Sequence, residues 1–175
     1  MLLQILKGSI INILPQRKPH ISWNDAFKKT YYVLPNHISA NFHMNNAKYL
    51  EIFEHSRWCQ FIDMGLFKPL MKQKVNFVVA SIEITYIKEL FLFKKFTVET
   101  NNIAWSDKYI YIEQKIIVDH TVYTHAVFKV ASLQNKKRLK ITDLLDLLGI
   151  KPNFANQQDF IRKWDTLTEI KKNIT

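Results

Sequence analysis

The chain has 175 residues, 47% hydrophobic and 13% aromatic, with one cysteine and a formal net charge of +10. This length and apolar content give a single domain with a real core and exclude a disordered chain, while one cysteine excludes a disulfide scaffold and fits a reducing compartment. The charge suits an anionic membrane surface or a phosphate-bearing substrate. Nucleic acid is not expected, because the basic residues are scattered with no zinc-ligand spacing and no base-stacking motif.

Residues 1–14 place Leu2, Leu6, Ile10 and Ile13 on one helical stripe, with Gln4, Gly8 and Asn12 opposite. The stripe is shorter than the roughly 20 apolar residues that span a bilayer. It lacks the basic start and small-residue cleavage site of a secretory signal. The run "PQRKPH" then stops the helix and adds positive charge. Residues 1–20 therefore read as an amphipathic helix and basic linker. Two placements are open: residues 1–18 contact a membrane interface, or they pack on the domain or a partner subunit. The expected location is cytoplasmic, with a peripheral position at the inner membrane surface as the variant.

Residues 27–34 are rich in β-formers and predict a first strand, which Pro35 and Asn36 break. A helix follows over residues 46–64, with Asn45 as its N-cap and Gly65 as its stop. Its apolar residues, Tyr49, Leu50, Ile52, Phe53, Trp58, Phe61 and Ile62, spread over more than one face. That pattern predicts a helix surrounded by protein, with Cys59 as a core filler.

After Pro69 the hydrophobic period changes from 3.6 to 2. In "VNFVVASIEITYI", Val78, Ala80, Ile82, Ile84 and Tyr86 fall on one side, and three more strands follow, "KKFTVETNNIAW", "KYIYIEQKIIV" and "TVYTHAVFKVASL". Asp119–His120 is a tight-turn candidate between the last two. "ITDLLDLLGI" and "DFIRKWDTLTEI" read as closing helices. Strands in sequence without intervening helices predict an antiparallel sheet, so the fold class is α+β, with one long helix packed against one curled sheet. The main domain covers residues 21–150, and residues 151–175 form a helical extension.

The segment "PNHISANFHMNNAKYL", from Pro35 to Leu50, resembles the start of the central helix in 4-hydroxybenzoyl-CoA thioesterase-like hotdog proteins. More narrowly it is similar to an acyl-CoA thioesterase-like branch with an H-M-N-N run, and "AWSDKYIYIEQKIIV" resembles that branch's strand pair, including Glu113–Gln114. The resemblance covers residues 27–133. It implies a hotdog fold in which the sheet wraps the helix, two subunits join their sheets as a homodimer or homotetramer, and the site lies at their interface. It implies hydrolysis of an acyl-CoA or other acyl thioester, with no metal or cofactor and with coenzyme A entering as part of the substrate.

Thioester hydrolysis needs donors for the developing oxyanion, and a helix N-terminus supplies them. By resemblance the backbone amide of Asn46 is that donor. Asn41, Asn45 and Tyr49 lie beside it as substrate-binding candidates, and helix capping is the plain alternative for both Asn45 and Asn46. The reaction also needs a base. The family's carboxylate position falls at Ser39, and another position where relatives carry aspartate falls at His37. Three substitutes remain open. His37 and Ser39 would point to one side if residues 36–40 are extended, His43 sits at the mouth of the helix, and Glu54 lies two turns along it. Lys88, Lys94, Lys95 and the run Lys136, Lys137, Arg138 are candidates for the phosphates of coenzyme A. The alternative reading is a hotdog protein that has lost its catalytic carboxylate and binds an acyl ligand or a protein partner.

Overall fold

The computed structural model describes residues 21–151 and 159–172, so the predicted N-terminal helix lies outside the described residues. In chain order the elements are β1 (Phe27–Tyr32), a 3-10 turn (Pro35–His37), α1 (Asn46–Asp63), α2 (Phe67–Lys72), β2 (Val75–Tyr86), β3 (Lys95–Trp105), β4 (Ile110–Val118), β5 (Thr121–Gln134), β6 (Lys137–Leu139), α3 (Ile141–Leu148) and α4 (Asp159–Lys172). All strand pairs are antiparallel, in the order β1-β3-β4-β5-β2, with β6 added to β5.

Two turns set the hairpins. Asp119 and His120 have φ of 46° and 65°, and Asn135 and Lys136 have φ of 50° and 67°. Positive φ at both central residues of a two-residue loop matches the right-handed twist of the flanking strands. The first hairpin is the one expected from sequence. The second folds the basic run back onto β5, where no strand was expected.

The inner face of the sheet holds α1. Phe53, fully buried, meets Phe128 edge-on at 5.6 Å, and Phe61 stacks on Phe77 at 5.0 Å. α3 adds Ile141, Leu144 and Leu145 to the same core and ends at Gly149, whose φ of 65° is the left-handed conformation that glycine adopts freely. α1 is not surrounded, however. Leu50, Glu51, Glu54 and Ile62 are exposed, so its spread of apolar residues overstates its burial. Cys59 is also no core filler. It is half-buried, Lys29 Nζ donates to its Sγ at 3.1 Å, and the ring of His55 lies 3.8 Å away.

A polar seam crosses the helix–sheet interface. Gln114, fully buried on β4, donates to the Phe53 carbonyl at 3.1 Å and to Thr100 Oγ1 at 2.9 Å, while Arg57 donates to Gln114 Oε1 at 2.6 Å. Ser56 and Thr100 hydroxyls share a further bond at 3.1 Å. Burial pushes the Arg57 guanidinium down to about 10, and Glu54 opposes that shift. Arg57 therefore stays charged at neutral pH, over the Phe128 ring at 4.2 Å.

The outer face is covered in part by α4. The register shift between Asn102 and Ala104 changes which β3 residues face which side. Ala104 then joins Tyr109, Tyr111, Ala131 and Ile161 in a second cluster. Lys129, 2% exposed, pairs with Asp165 of α4 at 2.7 Å, and the Tyr111 hydroxyl donates to the same carboxylate. β2 forms one edge of the sheet. A register shift between Val79 and Ser81 breaks its expected alternation, and Val78, Val79, Ile82 and Tyr86 are all exposed.

Candidate active site

The loop into α1 is tied down by backbone bonds. Asn45 N–H donates to the His37 carbonyl at 2.8 Å, Ser39 N–H to the His43 carbonyl at 2.9 Å, and Met44 N–H to the Leu90 carbonyl of the β2–β3 connection at 2.8 Å. Asn45 caps the helix as expected: its side-chain oxygen accepts from Ala47 N–H at 2.9 Å, and its carbonyl accepts from Lys48 N–H. Of these first helical amides, Asn46 N–H is the one with no protein acceptor among the described residues. Beside it opens a cleft of about 330 Å³ lined by His43, Met44, Asn46, Tyr49, Tyr86, Ile87, Lys88 and Glu89.

The two histidines present opposite nitrogens. His43 Nδ1 lies 3.2 Å from the Met44 carbonyl. A carbonyl only accepts, so this assigns a proton to Nδ1, and in the neutral ring the lone pair is on Nε2. That Nε2 is 3.9 Å from Glu89 Oε1. In His37 it is Nδ1 that accepts, from Leu34 N–H at 3.1 Å. The one lone pair of that neutral ring is therefore already used. Burial first, and Lys48 next, hold His37 below its ordinary value of 6.5, with Glu51 opposing.

Residues 36–40 are not extended, because Pro35–His37 forms a 3-10 turn. The side-by-side arrangement of His37 and Ser39 therefore fails. The Ser39 hydroxyl donates to the His43 carbonyl at 3.1 Å and accepts from Asn41 N–H at 3.3 Å, which commits it to the loop. Asn41 is exposed on that turn. Glu54 lies on the exposed face of α1 and does not line the cleft. Tyr49 does line it, buried and edge-on to Tyr86 at 5.0 Å, and burial raises its hydroxyl so that it stays protonated.

Lys88 reaches the cleft and lies over the Tyr123 ring at 5.6 Å. Lys136, Lys137 and Arg138 do not join it within one chain. Tyr86 pairs with Thr124 near one end of β5, whereas Arg138 pairs with Leu133 near the other. Nine strand residues separate these points, which is about 30 Å. Arg138 instead lies over the Tyr109 ring at 5.1 Å. Glu89 was missed by sequence reasoning. The available signal was the charged pair Lys88–Glu89 interrupting an apolar run directly after a strand.

A long helix held in a curled antiparallel sheet, with an unpaired amide at its start beside an open cleft, defines a hotdog-fold protein. The chain belongs to the thioesterase-like superfamily, whose family profile matches residues 33–164. Among curated proteins it is similar to Protein THEM6 of Xenopus laevis, 29% identical over 125 residues that cover 70% of this chain and 59% of the relative. Protein THEM6 of Drosophila melanogaster is 26% identical over 117 residues, covering 67% of this chain and 58% of the relative. The chain thus spans about three fifths of the length of these relatives. Among solved structures it superposes on the probable thioesterase YbaW of Escherichia coli with a TM-score of 0.65 at 24% identity, covering 70% of this chain and 96% of that one. The protein SAV2348 of Staphylococcus aureus, solved in complex with CoA, gives 0.61 at 17% identity, covering 79% and 94%. At these identities the superpositions speak for the fold.

Proposed function

We propose that the protein hydrolyses an acyl thioester, with an acyl-CoA as the substrate class, in the cleft at the start of α1. The observation that carries this reading is the unpaired Asn46 N–H beside a cleft that also holds the free Nε2 of His43. The thioester carbonyl oxygen accepts from Asn46 N–H, which sits at the positive end of the helix dipole. His43 Nε2 removes a proton from water, and the resulting hydroxide adds to the acyl carbon. Collapse of the tetrahedral intermediate breaks the C–S bond, and the departing thiolate takes the proton back from His43. Glu89, facing Nε2 across the cleft, stabilises the transient imidazolium and so supplies the negative charge that Ser39 lacks. Lys88 is placed for a phosphate of coenzyme A.

The outer edge of β2, paired only with β5 among the described residues, supports assembly with a second copy through that edge. A second reading, an acyl-binding protein without turnover, is favoured by the commitment of Ser39 to its own loop and by the absence of a carboxylate there. Thiol release from an acyl-CoA series separates the two. Hydrolysis that falls about 10²–10⁴-fold in His43→Ala supports the enzyme. Binding of the acyl-CoA with no turnover at any chain length supports the second reading.

A further inference from the structure

The rim of the cleft is built from turns whose backbone is anchored in the core while the neighbouring side chains point out. Val33, Met44 and Leu90 are fully buried. Beside them Leu34, Phe42, Phe91, Leu92 and Phe93 are exposed. Backbone pairing holds these residues together: Phe93 N–H donates to the Val33 carbonyl at 2.9 Å, Met44 N–H donates to the Leu90 carbonyl, and His43 bridges to Phe91. Phe42 and Phe93 are the two most exposed large apolar side chains among the described residues, at 80% and 69%. Both sit at positive φ, 64° and 63°. Bulky residues rarely adopt that conformation, and it is retained where the surrounding fold imposes it. Two phenylalanines are thus held outward, at a strain that Asn or Gly would relieve.

We propose that this rim is a docking surface for an anionic phospholipid membrane, with Phe42 and Phe93 as the inserting side chains. The five apolar side chains stand on paired turns outside the cleft lining, and their exposure increases toward Phe42 and Phe93, which suits insertion of single rings into lipid. The charge agrees. Lys88, Lys94 and Lys95 neighbour the Phe91–Phe93 tip in the chain, with Lys94 already paired, and the whole chain carries +10. Of the acidic groups nearby, Asp119 is engaged by Lys94 at 3.4 Å and Glu89 faces His43. Aromatic tips with lysines behind them suit the headgroup boundary, where the rings enter the acyl region and the ammonium groups meet lipid phosphate. None of these tips belongs to β2, whose range ends at Tyr86. Docking stands without the hydrolase reading. Where both hold, it brings the mouth of the cleft to the source of acyl chains.

The test is sedimentation of the full chain with vesicles of phosphatidylcholine containing about a third phosphatidylserine, against pure phosphatidylcholine. The wild type is expected to bind the anionic vesicles and to leave them as salt rises. The variant Phe42→Asn/Phe93→Asn places a residue tolerant of positive φ at both positions, so its melting temperature should hold or rise. Its partition should fall at least roughly tenfold. Absence of wild-type binding overturns the proposal, as does undiminished binding of the double variant. A change from dimer to monomer in the double variant also overturns it, because the rim would then be covered by a second copy. Thiol release measured on a soluble short-chain acyl-CoA reports the hydrolase reading separately.

Discussion

His43 and His37 lie six residues apart and use their rings in opposite senses. His43 keeps Nε2 free toward the cleft, whereas His37 uses its lone pair to hold Leu34 N–H. His37→Ala should therefore leave the pH profile of turnover unchanged and lower stability by about 1 kcal/mol, the worth of one hydrogen bond. The pH dependence has a definite sign. The folded His37 titrates below its value of 6.5 in the unfolded chain, so the unfolded state takes the proton first. Its contribution is complete above that value and declines as pH falls through the folded one. Urea unfolding at about pH 8 and about pH 5 should show a loss in the wild type that is smaller in His37→Ala. At this scale the sequence marked the loop whose residues His43 and Asn46 line the cleft. It did not mark Glu89, which is 46 positions from His43 and reaches it because the two segments pair, through the Met44 amide on the Leu90 carbonyl and the His43–Phe91 bridge.

At the scale of elements, α1 is specified by local chemistry. Asn45 accepts from Ala47 N–H, and Gly65 at φ 71° ends the helical segment, both as its residue types dictate. Asn45→Ala should lower the unfolding free energy by about 1 kcal/mol, and Asn45→Ser should restore most of it. Because the cap also fixes the amide beside it, turnover in Asn45→Ala should fall more than the stability change alone explains, read as a lower kcat at unchanged fold. The strands and the Asp119–His120 turn were legible for the same local reason. Which face of α1 lies open was not, because apolar residues such as Leu50 and Ile62 are exposed in the chain by itself. Nor was the 3-10 turn at His37, where proline fixes the first residue and the loop's own bonds set the rest.

For the whole molecule, the division into an inner and an outer core decides how the extension is held. Lys129 is buried under α4 and its charge is met by Asp165. Removing one partner of such a pair leaves the other uncompensated, so Asp165→Ala should lower stability by about 3–5 kcal/mol. Lys129→Met/Asp165→Ala should recover much of it. Limited proteolysis should cut the single variant near α4 sooner than the wild type. No helix among the described residues is long and apolar enough to cross a bilayer. Sequence periodicity found α4 but not its seat, since "VFKV" reads as an ordinary exposed lysine on a strand until Asp165 arrives from 36 residues away.

The buried contacts of Gln114 have a mechanical result. Interdigitated apolar side chains resist axial sliding of a helix through shape, and directional bonds sharpen that position. Here one amide grips both the Phe53 carbonyl and the Arg57 guanidinium, so a displacement of even one residue's rise, about 1.5 Å, would break several bonds together. The latch sits near mid-shaft, two turns from the tip, and it gauges where the tip stops. A lesion at Gln114, two turns away, would let the Asn46 amide shift against its cleft.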